Sequence, residues 1–345
     1  MKPAGNWRTQ GIEAHALRLE AKVSSYAEIA LPVASHRLRV PKDHEVIVEV
    51  LAAAVNPSDA KAATGLMPYA VFPRTPGRDY AGKVIAGPET LVGLKVFGSS
   101  GDLGIRTDGS HSSHLIVEAD AIVPVPEELT MQEAAGIGVP FVTAWEGLSR
   151  AGLPTSEDTV LILGINGKVG QAAAQIASWR GARVIGVVRR EESYVGHSTG
   201  TVEIINATHD NVPARVRELT AGSGASVVFN TVGDPAYDMG QASMAAGARA
   251  IFIAAVERLV TFDILAFYKG RHTYVGIDTI ALGSLASGAI LRQLVQGFAT
   301  KALRPFPILP HAMYPLERAY DAYQLVMGSS RDRVILMPQD FDPCT

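Results

Sequence analysis

The stretch DTVLILGINGKVGQAAAQIASWRGARVIGVVRR, Asp158–Arg190, decides the fold. Thr159–Leu163 is a short apolar run of the kind a buried parallel strand shows. Gly164, Gly167 and Gly170 follow at intervals of three. From Lys168 to Arg180 the apolar period changes, and Val169, Ala172, Ala173, Ile176 and Ala177 share one helical face. Gly181 stands where a left-handed cap belongs, and Ala182–Val188 is a second, mostly apolar strand.

Strand, glycine turn, helix and strand make a βαβ unit with a right-handed crossover. Gly167, lacking a side chain, lets a pyrophosphate approach the backbone, and Gly170 lets helix and strand pack closely. The unpaired N–H groups where the helix begins suit phosphate oxygens. Dinucleotide binding is therefore expected, with Gly164, Asn166, Gly167, Lys168, Val169 and Gly170 around the phosphates; a ligand-free glycine turn is the alternative. The end of the second strand selects the nucleotide. A carboxylate there holds the ribose 2′-OH of NAD, whereas arginine suits the 2′-phosphate of NADP. Arg189 and Arg190 occupy that place and favour NADPH, since guanidinium forks match a phosphate dianion. The alternative leaves both arginines in solvent and gives the ribose to Glu191 or Glu192.

At 345 residues the chain is long enough for two domains with cores of their own. With 47% hydrophobic and 19% charged residues it has the balance of a soluble globular enzyme. A net charge of −3 gives no electrostatic case for nucleic acid or an anionic membrane. The start, MKPAGNWRTQGIEAHA, lacks the apolar segment of a signal peptide, and no run reaches the roughly 18 apolar residues of a membrane span. A single cysteine, Cys344, excludes an internal disulfide framework and multi-cysteine zinc sites, and a cytoplasmic protein follows.

Residues 1 to about 12 read as an unstructured leader. From Ala16 the pattern is β-rich, with Val46, Val48 and Val50 alternating along a strand. Thr130 and Glu133 form a capping box that opens a helix. Pro140 is expected to break that helix, and another runs from about Thr143 to Arg150. Strands near 159–164, 182–188, 202–205, 226–232, 248–255 and 273–277, with helices between them, predict a doubly wound parallel α/β sheet. Leu316, Ala319, Tyr320, Tyr323 and Val326 form a late helical stripe, and Arg333–Met337 a last strand. This tail is expected to return to the first domain, with a cleft between the two.

Six motifs, in this order and spacing, carry a resemblance over residues 16–338. They are VNPSD (Val55–Asp59), PGRDYAG (Pro76–Gly82), ADAIVPVPEELTMQEAAGIGV (Ala119–Val139), TAWEGL (Thr143–Leu148), GINGKVGQA (Gly164–Ala172) and NTVG (Asn230–Gly233). Together they resemble the medium-chain dehydrogenase/reductase superfamily, in its zinc-free quinone oxidoreductase and 2-enoyl thioester reductase branches. The resemblance implies a Rossmann dinucleotide-binding domain at 129–278 and a GroES-like, β-rich catalytic domain at 1–128 with 279–345. The zinc alcohol dehydrogenases are similar too, but carry a cysteine near Asn56, a His-Glu pair near Arg78-Asp79, a cysteine near Val139 and a four-cysteine lobe. None of these is in this chain, so no Lewis acid is expected. Arg78 and Asp79, near the metal position of those enzymes, are read as a structural ion pair, with a catalytic role as the alternative, and His111-x-x-His114 as non-metal.

Without a metal, the acceptor must spread charge itself, as a quinone or an α,β-unsaturated carbonyl does. The resemblance places Asn56 and Thr143 beside it as uncharged donors. Asn230, Thr231, Val232 and Gly233, with Ala254, Ala255 and Val256, are expected at the ribose and nicotinamide. Both branches place a tyrosine two residues after the glycine of the loop ATGLMPYAVFP (Ala63–Pro73). Here Gly65 is followed by Met67, and Tyr69 is the displaced candidate acid, against a packing tyrosine. The small-molecule partner is expected to be a quinone, enone or enoyl thioester, and the assembly a homodimer through the apolar edge Thr273–Ile277. The alternative function is an NADPH-binding structural or regulatory protein with little turnover.

Overall fold

A computed structural model describes residues 11–67, 69–328 and 330–339. Most of the leader and Cys344 lie outside the described residues. The chain forms two compact units, one of residues 1–139, 280–295 and 305–345, the other of 140–279 and 296–304.

In the first unit β1 (Ile12–Leu17) and β2 (Val33–Leu38) pair antiparallel, so among the described residues a strand already begins at Ile12, at the end of the expected leader. The main sheet is built on β3 (Glu45–Ala54), β4 (Asp79–Ala86), β5 (Lys95–Ser99), β6 (His114–Glu118) and β7 (Val123–Pro124). Val46, Val48, Val50, Val84 and Val96 close its core, each worth roughly 1.5–3 kcal/mol of burial. Between β3 and β4 runs α1 (Pro57–Ala63), with Pro57 in its first turn. After β7 comes α2 (Met131–Gly136), opened by the expected box of Thr130 and Glu133. It packs against β3 and β4, and so belongs with the first unit although it follows residue 128.

Helix α3 (Gly138–Arg150) starts five residues before the expected Thr143. Pro140 falls in its first turn, where a missing N–H breaks no hydrogen bond, so it is tolerated. The second unit then alternates β8 (Thr159–Leu163), α4 (Lys168–Trp179), β9 (Arg183–Val188), β10 (Val202–Asn206), α5 (Val212–Leu219), β11 (Ala225–Asn230), α6 (Tyr237–Ala242), β12 (Met244–Phe252), α7 (Ile264–Gly270) and β13 (Thr273–Gly276). All six strands are parallel, in the order β10-β9-β8-β11-β12-β13. That is a doubly wound α/β sheet whose order reverses between β8 and β11.

The tail runs through α8 (Ser284–Ala299), β14 (Met313–Pro315), α9 (Ala319–Met327) and β15 (Ile335–Met337). β15 pairs antiparallel with β3 and extends the first unit's sheet. The buried stripe of α9 is Ala319, Ala322 and Tyr323, led in by Leu316. Tyr320, expected in that stripe, is exposed, since Ala322 takes the inward position one turn from Ala319.

Candidate functional site

The glycine turn of the second unit begins where β8 ends. Gly164 has φ +80°, a left-handed conformation that a side chain resists, and an added Cβ would meet Thr231 Oγ1 at 2.7 Å. A Cβ on Gly170 would lie 2.4 Å from Gly164 O, so helix α4 packs on the strand end only because this residue has none. Gly167 is the N-cap of α4, with Lys168 and Val169 in its first turn. Asn166 uses its side chain structurally: Nδ2 donates to Ser193 O at 3.0 Å and Oδ1 accepts from Val195 N at 3.1 Å. It thereby pins residues 189–201, which carry the chain from β9 to the adjacent parallel β10 without a helix. Tyr194 adds a hydrogen bond to His197 O at 2.8 Å.

Gly164, Arg189, Arg190, Thr208, Val232 and Met239 line a cavity of about 520 Å³ at this turn. Both arginines are exposed. Glu191 Oε1 lies 2.6 Å from His209 Nε2, which draws that carboxylate towards the loop after β10.

Across the order reversal, Thr231 Oγ1 donates to Leu163 O at 2.7 Å, tying the end of β11 to the end of β8. Asn230 Oδ1 accepts from Val232 N and Gly233 N, both at 2.9 Å, and its Nδ2 donates to Gly233 O at 2.8 Å. The Asn230 side chain thus shapes the turn. Asp234 Oδ1 accepts from Val256 N at 2.6 Å and Glu257 N at 2.9 Å, bringing Ala254, Ala255 and Val256 beside Gly233. The two strand-end segments singled out in the sequence are therefore neighbours. Thr143 is buried on α3.

In the first unit, Asn56 and Asp79 are brought together, and Tyr69 stands apart. Asn56 and Asp59 form a capping box at α1, with Asn56 N donating to Asp59 Oδ2 at 2.8 Å. Asn56 Nδ2 donates to Asp79 Oδ2 at 2.9 Å. Asp79 also accepts from Val139 N at 2.9 and 3.1 Å, so a carboxylate meets the first turn of α3, where anions are stabilised. The ion pair expected between Arg78 and Asp79 is made instead by Arg333, whose Nη2 lies 3.0 Å from Asp79 Oδ2. Arg78 Nε donates to Ser100 O at 2.8 Å. Burial of Asp59 pushes its carboxyl up to about 7, against the opposing hydrogen bond from Asn56 N. Tyr69 is half-exposed, with the Arg106 guanidinium 4.9 Å from its ring centre.

The ring nitrogens of His111 and His114 face different protein partners. His111 Nδ1 is 2.9 Å from Tyr323 Oη and Nε2 is 3.2 Å from Ala54 O, while His114 Nδ1 is 3.0 Å from Ser113 Oγ. Burial lowers His111 to about 4, so it is a neutral core imidazole. Sequence reasoning missed Arg333. Its only local signal is a charge directly before the apolar run Val334–Leu336.

Comparison with known proteins agrees with this architecture. Residues 42–127 match the family described as alcohol dehydrogenase GroES-like domain, and 169–290 that described as zinc-binding dehydrogenase. The chain belongs to the medium-chain dehydrogenase/reductase superfamily of oxidoreductases. A zinc-type alcohol dehydrogenase-like protein of Schizosaccharomyces pombe is 37% identical over 275 residues, covering 78% of this chain and 81% of that one. The human quinone oxidoreductase is 26% identical over 315 residues, 88% of this chain and 89% of its own. The crystal structure of an alcohol dehydrogenase superfamily protein from Novosphingobium aromaticivorans superposes with a TM-score of 0.82 at 26% identity, covering 94% of this chain and 100% of that one.

The zinc that one family name implies does not fit these residues. Among the described residues no three His, Cys, Asp or Glu side chains are grouped to hold a metal. Asn56 and Asp79 already serve a guanidinium. Among the described residues no helix is long and apolar enough to cross a membrane.

Proposed function

We propose that the chain is a zinc-independent, NADPH-dependent oxidoreductase acting on a quinone or on the C=C bond of an α,β-unsaturated carbonyl, such as an enone or enoyl thioester. One observation carries the nucleotide preference. Arg189 and Arg190 line the cavity beside the glycine turn, while Glu191, one of the two competing carboxylates with Glu192, lies against His209. The N–H groups of Gly164, Ile165 and Gly167 already donate to backbone carbonyls, so the first turn of α4, beginning at Lys168, is the part of the glycine turn that suits a diphosphate, and Arg189 and Arg190 suit the 2′-phosphate. In this reading Asn166 contributes its backbone, since its carboxamide is engaged. The segments Asn230–Gly233 and Ala254–Val256 take the ribose and nicotinamide.

Bound NADPH supplies the hydride. The chain's own residues orient the acceptor and donate hydrogen bonds to the oxygen on which charge develops. Asn56 and Thr143 are the proposed donors, and Tyr69 the proposed acid. The human quinone oxidoreductase relative supports the acceptor class.

We also propose a homodimer through the edge of the second unit. β13 is the last strand of its sheet, and α7 buries none of its residues. Leu259, Ile264 and Tyr268 are 89, 66 and 58% exposed there, an apolar surface that a second copy would cover. Light scattering reads this directly, and a monomer contradicts it.

The exposure of Tyr69 favours the second reading, a nucleotide-binding protein with little turnover. The deciding experiment follows loss of NADPH absorbance with a quinone, a short enone and crotonyl thioester. Oxidation with at least one acceptor supports the enzyme; tight NADPH binding with no oxidation across the panel replaces it with the binding protein.

A further inference from the structure

The guanidinium of Arg333 is only 3% exposed, and it donates to four oxygens. Nε reaches Gly136 O at 2.7 Å, Nη1 reaches Val55 O at 3.0 Å and Asn56 Oδ1 at 2.9 Å, and Nη2 reaches Asp79 Oδ2 at 3.0 Å. Asp59 stands close enough to interact electrostatically with Arg333, Arg78 and Asp79, and its buried Oδ1 has no partner among the described residues. The Arg333 guanidinium thus sits among two carboxylates and three carbonyl-type oxygens that come from distant parts of the chain, with Arg78 a second cation near Asp59.

The consequence falls on Asn56. Its Oδ1 accepts from a group that can only donate, and its Nδ2 donates to a carboxylate that accepts. Exchanging the amide's ends would set Nδ2 against the guanidinium and Oδ1 against Asp79. The orientation is therefore locked, and the second Nδ2 hydrogen points in one fixed direction. A neutral residue at 333 would release the amide and leave Asp79 buried without its charge partner.

We infer that Arg333 is a positioning residue: a built-in cation that fills an oxygen-lined cavity and fixes the carboxamide of Asn56 for hydrogen bonding to the acceptor. Its catalytic part rests on the function proposed above; its electrostatic part does not. Oxygen donors of this kind are those that hard divalent cations take. Removing the guanidinium therefore uncovers a site for such an ion, which the wild-type protein lacks.

The experiment compares wild type, Arg333→Ala and Arg333→Lys. Mn²⁺ binding is measured by equilibrium dialysis and by its effect on melting temperature, and NADPH affinity and turnover are measured on the same samples. The expected result is Mn²⁺ binding and a raised melting temperature in Arg333→Ala alone. Turnover should fall by about 100-fold in Arg333→Ala and about tenfold in Arg333→Lys, with KM for NADPH unchanged in both. If Arg333→Ala is too unstable to isolate without metal, folding restored by Mn²⁺ supports the inference, and failure of Mn²⁺ to restore it overturns it. Wild-type turnover in both variants, or an Arg333→Ala protein indifferent to Mn²⁺, also overturns it. The Mn²⁺ measurements need no acceptor, so they test Arg333 even where the acceptor panel fails.

Discussion

The glycine turn of the second unit and the buried cluster of the first both hold polar groups in fixed places, with opposite materials. The turn is backbone geometry confined to residues 164–170, where what matters is side chains that are missing. The cluster is side-chain chemistry drawn from residues 56, 59, 79 and 333, with partners 254 and 277 positions apart. A backbone site tolerates most neighbouring substitutions but not an added methyl group at the wrong glycine. A buried ionic cluster has the reverse weakness, since losing any one member strands the others in a low dielectric.

The largest effect should come from the cluster. Asp79→Ala leaves the Arg333 guanidinium buried without its carboxylate, and is expected to lower unfolding stability by about 3–5 kcal/mol in urea titration. A loss below about 1 kcal/mol would mean that Arg333 is rescued by its carbonyl partners alone. Next comes Gly170→Ala, whose new methyl group would lie 2.4 Å from Gly164 O. It should cost about 2 kcal/mol and weaken nucleotide binding, because the strand end must shift.

Acid should expose the neutral imidazole at the core of the first unit. His111 titrates at about 4 when folded and near 6.5 when unfolded, so the unfolded chain takes up the proton first. Its contribution is complete above pH 6.5 and is lost as pH falls towards 4, at up to about 1.4 kcal/mol per pH unit. Chemical denaturation across that range should show a steeper fall in wild type than in His111→Gln; parallel curves would place the acid sensitivity elsewhere. The smallest effect belongs to Asn166→Ala, which frees the 189–201 segment from the glycine turn. About 1 kcal/mol of stability is expected to go, with faster proteolysis confined to that segment.

What the sequence made legible follows the same division. Strand, turn, helix and strand at 158–190 are local, and a change of apolar period with three spaced glycines needs nothing distant to be read. The start of α3 at Gly138 was hidden because proline reads as a breaker, although the first turn has no hydrogen bond for it to break. The Asp79–Arg333 pair was hidden more deeply. Arg78 is the adjacent cation, and only the return of β15 to β3 brings residue 333 to that place. Nor does one chain reveal that Asn166 and Asn230 turn their side chains to their own loops, since that depends on where residues 193–195 and 233 lie.

The central claim is that a side-chain-free phosphate turn, flanked by Arg189 and Arg190, takes a 2′-phosphorylated nicotinamide nucleotide. Fluorescence titration of the wild type and of the Arg189→Ala/Arg190→Ala variant with NADPH and NADH tests it most directly. NADPH is expected to bind at least about tenfold more tightly than NADH to the wild type, and the double variant to lose that preference while keeping its NADH affinity. Equal affinity of the wild type for the two nucleotides, or no binding of either, would contradict it.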